Sequence, residues 1–188
     1  FEPLTAFAIR WQEAQRNFNG DLAHLLRGYA SGGTAWVDML CNPDLPYGQS
    51  GMGNANWNNF PNFIYEVYVF AHELGHNLGS PHTHNCSWGP NNDQAIDNCA
   101  SSEGTCPPGP PPVNGGTIMS YCSGFNLLNG FGPEPGDLVR MKVANAPCLK
   151  NLQYYNTCQL DSIVVMTECL ADPTPNQPMD NQYFIRFN

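Results

Sequence analysis

The clearest pattern of apolar and polar positions lies near the middle of the chain. Residues 64–71 are mostly apolar and contain neither glycine nor proline, which predicts a helix from about residue 64 to residue 77. Asn62 is a candidate for capping the start of this helix. Gly79 follows its end, where glycine can adopt the left-handed conformation that stops a helix and turns the chain sharply.

Elsewhere the same pattern predicts a few strands and one further helix. The predicted strands cover residues 21–28, 33–40, 163–166 and 183–187, and the further helix covers residues 136–145. Between the histidine-rich part of the chain and this helix lies a proline-rich run, residues 107–112, which is unsuited to a helix or a central strand. We interpret it as a stiff surface loop.

Three histidines and a glutamate have the spacing of a metal site. Residues four apart lie on one face of a helix, so His72 and His76 can present two imidazole nitrogens to a single ion. A turn at Gly79 would return His82 as the third ligand. Glu73 lies about 100° around the helix from His72, where it is poorly placed to bind the ion but well placed to hold a water molecule bound to it.

This arrangement predicts metal-assisted hydrolysis. Three protein ligands leave a fourth position for water, and that open position distinguishes a catalytic zinc site from a structural one. Zinc lowers the pKa of its bound water to about 7, far below that of bulk water. Glu73 could then act as the general base, and the resulting hydroxide could attack a polarised carbonyl group.

Alternatives remain for the histidines. His72 and His76 could be surface residues of an amphipathic helix, with His82 in an ordinary loop. His84 lies two residues beyond His82 and could replace it as the third ligand, although the spacing favours His82. His24 lies beside leucines far from the motif, and we interpret it as a hydrogen-bonded structural histidine.

Composition narrows the class of protein. With a formal net charge of -9 and only 7 lysines and arginines in 188 residues, the chain lacks the clustered cations that a nucleic-acid surface needs. No apolar run approaches the roughly 18 residues of a membrane span. The 8 cysteines indicate an oxidising compartment, because the histidine motif needs no thiolate ligands. We therefore expect a secreted protein whose leader peptide has been removed or omitted.

The extended histidine motif resembles that of the metzincin zinc endopeptidases, in which a methionine turn lies beneath the metal. Residues 117–121, with Met119 at their centre, look like that turn. Within this clan the chain is most similar to the reprolysin (adamalysin) branch, in particular to its secreted bacterial relatives. The segments that fall in that branch's order are residues 21–26, 39–41, 71–79 and 146–149. The resemblance covers roughly residues 20–151.

Two residues depart from the reprolysin pattern. Reprolysins usually carry aspartate directly after the third histidine, whereas this chain has Thr83. Tyr121, two residues after Met119, is similar to a tyrosine of astacins and serralysins that can ligate zinc and swing away to stabilise the transition state. Tyr121 is therefore a candidate catalytic residue, and the alternative is a buried tyrosine packed under the methionine turn.

The resemblance also implies how a substrate would bind. In metzincins the strands before the histidine helix end with an edge strand above the active-site cleft, and residues 33–37 are the candidate here. An exposed edge offers unpaired backbone groups, so an extended polypeptide could bind by adding a strand antiparallel to it. The alternative is an edge strand covered by a loop.

The sequence and the resemblance determine the disulfide pairing only in part. The resemblance implies a bond between Cys41 and Cys148. The four cysteines from residue 86 to residue 122 allow three connectivities. For these four we predict the pairs Cys99–Cys106 and Cys86–Cys122.

Calcium is a second candidate metal. Asp21, Asn151 and the carbonyl oxygen of Cys148 match positions that bind calcium in some reprolysins. Oxygen ligands near the end of a domain suit this hard cation. The alternative is ordinary polar surface.

Together these patterns predict an α+β fold: a metzincin-like catalytic domain with a twisted mixed sheet, an active-site helix and an irregular, disulfide-bearing C-terminal subdomain. Residues 1–151 would form this domain. Metzincins place further strands and a long helix before the equivalent of Asp21, so we expect the N-terminal part of the domain to be missing. Residues 152–188 would be a C-terminal extension or the start of a β-sandwich module.

The predicted function is a secreted zinc endopeptidase that hydrolyses peptide bonds with a metal-bound water activated by Glu73. One alternative is a catalytically inactive binding or adhesion module with the peptidase fold. Another is a zinc hydrolase of a non-peptide amide or ester. Glu73 argues against the inactive module, because such a protein could lose its base at no structural cost.

Overall fold

The computed structural model describes residues 3–13, 20–53, 65–124 and 126–149, together with the backbone of residues 163–166 and 184–187. The helices are α1 (Pro3–Glu13), α2 (Tyr65–Asn77) and α3 (Pro133–Asn145). The strands are β1 (Ala23–Arg27), β2 (Gly33–Ala35), β3 (Tyr47–Gly51), β4 (Ile163–Met166) and β5 (Phe184–Phe187). The predicted α+β class is confirmed, as are the histidine-bearing helix and most of the predicted strands.

A mixed sheet of three strands carries the first part of the fold. Its order is β1, β3, β2, with β1 parallel and β2 antiparallel to the central strand β3. Strand β2 therefore lies at an edge, as predicted for residues 33–37, although it ends at Ala35. The chain leaves the sheet because the backbone N–H groups of Asp38 and Met39 donate to the carbonyl oxygens of His76 and Asn77 at the end of α2.

The first helix packs on this sheet. The positions of α1 that face the core follow helical spacing and lie against β1 and β3; the buried cluster consists of Leu4, Phe7, Ala8, Leu25 and Tyr47. The rings of Phe7 and Tyr47 meet edge to face, with centroids 5.4 Å apart. Helix α1 is not among the predicted elements, although its apolar positions have the spacing of an amphipathic helix.

Helix α2 ends in the turn that the sequence predicts at Gly79, whose φ is 102°. The N–H of Gly79 donates to the carbonyl of His76 over 2.9 Å, and the N–H of Ser80 donates to the carbonyl of Gly75 over 2.9 Å. This pair of bonds is the Schellman arrangement, which satisfies the last carbonyls of a helix. The side chain of Asn77 ties the same end to the sheet region, because its Nδ2 donates to the carbonyl oxygens of Trp36 and Tyr47.

Helix α3 begins three residues before the predicted start at residue 136. Its first residue is Pro133, and proline suits the first turn because the N–H it lacks would have no partner within the helix. In the C-terminal part of the chain, β4 and β5 pair antiparallel, which confirms the two strands predicted there. Among the described residues, no helix combines the length and apolar composition needed to cross a lipid bilayer.

Three disulfides join the described cysteines. Cys41 bonds to Cys148, as the resemblance implies. The predicted pairs Cys99–Cys106 and Cys86–Cys122 are wrong, because the bonds formed are Cys86–Cys106 and Cys99–Cys122. The reason is a backbone pairing between distant segments.

In that pairing, the N–H of Glu103 donates to the carbonyl of His84, and the N–H of Cys86 donates to the carbonyl of Glu103. These two bonds run the segment around Glu103 alongside residues 84–86, which places Cys106 next to Cys86. Cys122 instead lies beside Asp97, close to Cys99.

His24 has the structural character that the sequence suggests. Its ring lies in β1 against Phe70 of α2, with centroids 4.7 Å apart, and its Nε2 is 2.8 Å from the Oγ of Ser50. Burial lowers the pKa of His24 from 6.5 to about 4. As the pH falls, the unfolded chain therefore takes up a proton at this residue before the folded protein does.

We expect His24 to make the free energy of unfolding depend on pH. Its contribution is complete above pH 6.5 and is lost as the pH falls towards 4. His24→Gln retains a hydrogen-bonding group for Ser50 but does not titrate. Denaturant unfolding should show that lowering the pH from about 7 to about 4 costs the wild type about 3 kcal/mol more than the variant. Equal losses in the two proteins would contradict this assignment.

Candidate metal centre

The three histidines predicted as ligands come together at the end of α2. His72 and His76 lie one turn apart on the helix, and the turn after it returns His82. One ring nitrogen from each histidine lies within 4.8 Å of the other two. The Nε2 atoms of His76 and His82 are 3.1 Å apart. The structure places His82, and not His84, in this three-histidine cluster.

Backbone carbonyl groups fix the orientation of the two helical histidines. The Nδ1 of His72 donates to the carbonyl oxygen of Ile118 over 2.6 Å, and the Nδ1 of His76 donates to the carbonyl oxygen of Ser80 over 2.8 Å. A carbonyl oxygen only accepts, so the proton of each ring is on Nδ1 and the lone pair is on Nε2. Both rings therefore present their Nε2 atoms as metal ligands.

A carboxylate performs the same task for His82. The Nδ1 of His82 donates to the Oε1 of Glu103 over 2.8 Å, so the lone pair of His82 is also on Nε2. The Nε2 atoms of His76 and His82 then face each other with lone pairs only 3.1 Å apart. Two lone pairs at that distance repel unless a cation lies between them. Three neutral imidazole nitrogens are a donor set that suits zinc, so these residues fit the predicted metal.

Burial of the histidines is consistent with this state. Burial lowers the pKa of His72 to about 3 and the pKa of His76 to about 4. Burial also lowers the pKa of His82, although the hydrogen bond to Glu103 opposes that effect. The cluster therefore holds neutral imidazoles, which bind metal, over the physiological pH range.

Glu73 lies in the cleft beside the cluster. Its side chain is buried, and burial raises its pKa from 4.5 to about 8. Strand β2 passes directly against it, since a Cβ at Gly33 would lie 2.6 Å from the Oε1 of Glu73. Only glycine at this position lets the edge strand and the carboxylate lie so close together. The cleft has a volume of about 370 Å³, and its lining includes Gly33, Tyr65, Val69, His72, Glu73 and Tyr121.

Tyr121 faces the cluster and is not packed beneath it. Its ring is stacked on His72 with centroids 5.8 Å apart, and it lies 4.6 Å from the ring of His82. The residue is 55% exposed, so the alternative of a buried packing tyrosine is wrong. Partial burial raises the pKa of its phenol, and the charge of Glu73 is the next cause.

Met119 forms the floor under α2. Its side chain is completely buried and lies against the backbone of Gly75, where a Cβ would approach the Sδ to 2.6 Å. Thr83, which follows the third histidine, holds this turn in place. Its N–H and its Oγ1 donate to the carbonyl oxygen of Met119 over 3.1 and 3.2 Å. Thr83 departs from the reprolysin pattern, but it still links the third histidine to the methionine turn.

Two further groups of potential ligands lie nearby. One consists of His82, His84 and Glu103; it shares His82 with the first cluster, and its carboxylate accepts a hydrogen bond from His82 and lies 3.3 Å from the Nε2 of His84. The other includes Cys99 and Cys122, whose sulfur atoms are bonded to each other and are not available to a metal. The three-histidine cluster is thus the best candidate metal centre among the described residues.

Glu103 is not among the predicted site residues. This residue lies 21 positions after His82, so no local spacing connects the two. Of the proposed calcium ligands, Asp21 and Cys148 are described and Asn151 lies outside the described residues. The calcium site therefore stays a prediction.

An α+β fold in which an edge strand borders a three-histidine cluster and a buried glutamate is that of a metzincin-like domain. The chain also matches the model of a reprolysin-type family, described as metallo-peptidase family M12, over residues 4–130. Since this match covers more than half of the chain, the protein belongs to metallo-peptidase family M12. No curated protein matches the chain.

The contact between Gly75 and Met119 predicts a cost for any larger residue on that face of α2. In Gly75→Ala, the new Cβ would lie 2.6 Å from both the Sδ of Met119 and the Cε1 of Phe131. Overpacking of this kind costs about 1–3 kcal/mol, which exceeds the gain in helix propensity of up to about 1 kcal/mol. Chemical denaturation should therefore show a less stable protein.

Gly28→Ala is the matched control, because a Cβ at that position meets no atom within 4 Å. This control should unfold at nearly the wild-type denaturant concentration. A Gly75→Ala protein as stable as the wild type would show that the helix and the methionine turn are not in tight contact.

Proposed function

We propose that this protein is a secreted zinc endopeptidase in which His72, His76 and His82 bind the metal and Glu73 is the general base. The observation that carries the proposal is the convergence of three Nε2 lone pairs beside a buried carboxylate in an accessible cleft. Membership of a metallo-peptidase family supports peptide bonds as the target. When bound, zinc supplies a Lewis acid for the carbonyl group and lowers the pKa of a water molecule.

Glu73 accepts and returns the proton in this scheme. Burial raises the pKa of Glu73 to about 8, and a cation bound at the three histidines would favour the ionised carboxylate, so that its Oε1 can accept the proton. The same atom can then donate that proton to the leaving amine nitrogen. The raised pKa therefore suits both steps of peptide hydrolysis near neutral pH.

The edge strand gives the substrate its orientation. Within the described part of the chain, β2 pairs with β3 on one side only. A polypeptide that pairs antiparallel with the free side of β2 passes Gly33, whose backbone lies against Glu73. Main-chain pairing thus brings a peptide carbonyl to the carboxylate with little dependence on the side chains of the substrate.

Tyr121 is placed to act on the same carbonyl. Its ring lies against His72 and His82 at the mouth of the cleft, and its phenol has a raised pKa, so it stays protonated at neutral pH. We assign its hydroxyl as a hydrogen-bond donor to the oxygen that becomes negative in the transition state.

Secretion fits the cysteine chemistry. All six cysteines in the described ranges are joined in disulfides, Cys41–Cys148, Cys86–Cys106 and Cys99–Cys122. Such bonds persist in extracellular and other oxidising compartments and are rare in the cytosol. One of them closes the segment that carries Glu103, so the metal centre itself depends on an oxidising environment.

Glu73→Gln tests the proposed chemistry. The amide fills the same volume but accepts a proton poorly, so casein cleavage should fall about 10²- to 10⁴-fold while the zinc content stays at the wild-type value. Glu134→Gln, which changes an exposed carboxylate on α3, is the control and should keep full activity. A chelator should abolish wild-type cleavage, and added zinc should restore it.

The other possible results would support one of the alternative functions or contradict the role of Glu73. A wild type that binds zinc but cleaves neither casein nor a peptide library would be an inactive module. Hydrolysis of small amides or esters without peptide cleavage would indicate the other alternative. An intact Glu73→Gln protein with normal activity would remove Glu73 from the mechanism.

Tyr121→Phe separates the hydroxyl from the ring. The ring should still stack on His72, so the zinc content and KM should stay unchanged. Loss of a donor to the transition state should lower kcat by about 10²- to 10³-fold. Steady-state kinetics on a fluorogenic peptide measure this effect. Unchanged kcat would mean that the tyrosine only shapes the cleft.

A further inference from the structure

Both carboxylate oxygens of Glu103 contact neighbouring side chains, although the residue lies at the surface. Its side chain is 43% exposed, yet its Oε1 accepts from the Nδ1 of His82 over 2.8 Å and lies 3.3 Å from the Nε2 of His84. Its Oε2 accepts from the Nδ2 of Asn85 over 3.1 Å. Both carboxylate oxygens are therefore held, and the residue has a fixed orientation towards His82.

His82 differs from the other two histidines in how its ring is held. The Nδ1 atoms of His72 and His76 donate to backbone carbonyl groups, which no substitution removes. The Nδ1 of His82 donates to a side chain. Moreover, His82 follows the end of α2, so the helix does not fix its backbone as it fixes the other two.

Other contacts fix the main chain and one face of the His82 ring, but they leave its rotation undetermined. The indole Nε1 of Trp88 donates to the carbonyl of His82 over 2.7 Å. His84 stacks on the His82 ring with centroids 4.8 Å apart and planes inclined by 11°. A stacked ring can still turn by 180° about its Cβ–Cγ bond, which would put carbon atoms where Nδ1 and Nε2 now lie. The hydrogen bond to Glu103 is the contact that selects one orientation.

A disulfide and backbone hydrogen bonds fix the position of the segment that contains Glu103. The Cys86–Cys106 disulfide closes this segment, and the N–H and C=O groups of Glu103 bond to the carbonyl of His84 and the N–H of Cys86. Four separate restraints thus hold one exposed carboxylate: two backbone hydrogen bonds, the disulfide and the side chain of Asn85.

We propose that Glu103 is a positioning residue that orients His82, so that its Nε2 completes the metal centre. This proposal rests on the zinc site of the proposed function. Paired with the carboxylate, the imidazole keeps its proton on Nδ1 and directs its Nε2 towards the ion. Partners of this kind contribute about 10- to 100-fold to metal affinity. Because Glu103 touches no substrate in this scheme, its effect is exerted through His82.

Two substitutions test the contact at different strengths. Glu103→Ala removes the acceptor, so the dissociation constant for zinc, measured by competition with a chromogenic chelator, should rise about 10- to 100-fold. Glu103→Gln keeps one oxygen acceptor but loses the charge and sets an amide NH₂ against that of Asn85, so its constant should lie between those of Glu103→Ala and the wild type. Glu134→Gln, in which the exchanged carboxylate accepts a hydrogen bond from the N–H of Gly89, is the control and should bind zinc like the wild type.

A second readout separates orientation from general loss of structure. In the cobalt-substituted protein, the visible absorption bands report the ligands and their geometry, and they should shift in Glu103→Ala but not in Glu134→Gln. Thermal unfolding with a chelator present should give similar midpoints for the wild type, Glu103→Ala and Glu134→Gln. A Glu103→Ala protein whose cobalt spectrum and zinc affinity match the wild type would overturn the proposal. So would weaker binding accompanied by an equally large loss of stability without metal.

These outcomes stay distinct from those that test the function. A wild type that binds zinc tightly without cleaving peptides would end the peptidase proposal but leave the part played by Glu103 intact. Normal zinc binding in Glu103→Ala, together with normal cleavage, would end the proposal for Glu103 but leave the peptidase proposal intact.

Discussion

The candidate metal centre depends on one constraint: three imidazole rings bind a shared cation tightly when the Nδ1 proton of each ring has an acceptor on the side away from the cation. The acceptors here are the carbonyl of Ile118, the carbonyl of Ser80 and the carboxylate of Glu103. They belong to the methionine turn, the turn after α2 and the disulfide-closed segment. Three irregular parts of the chain must therefore fold correctly before the histidines on and after the helix can act together.

The regular part of the fold serves the carboxylate. Strand β2 lies at the sheet edge directly over Glu73, and the absence of a side chain at Gly33 allows the contact. The resulting burial raises the pKa of Glu73. In the proposed function, the free edge of β2 is where a peptide pairs. In the proposed function, Gly33 thus couples substrate alignment to proton transfer, because both depend on how closely the strand approaches α2.

Local spacing predicted the parts of the site that lie within one helix turn of each other. The distance between His72 and His76 and the stop at Gly79 follow from helix geometry, which operates over a few residues. Strand β3 could not be predicted, because its five residues, Tyr47–Gly51, are rich in glycine and polar side chains and are buried by their neighbours. Neither the role of Glu103 nor the pairing of Cys86 could be predicted from local spacing, because contacts between distant segments decide both.

The residue after the third histidine shows how a departure from a motif can be absorbed. Thr83 is neutral, so it brings no charge to the metal centre, but its hydroxyl and N–H both bind the carbonyl of Met119 and keep the methionine turn attached. A carboxylate still lies beside His82, supplied by Glu103 from a segment that a disulfide holds in place. Thr83 thus provides the link to the methionine turn, and Glu103 provides the negative charge. The residues next to the histidines lack the usual aspartate, but in the folded chain Glu103 supplies the negative charge beside His82.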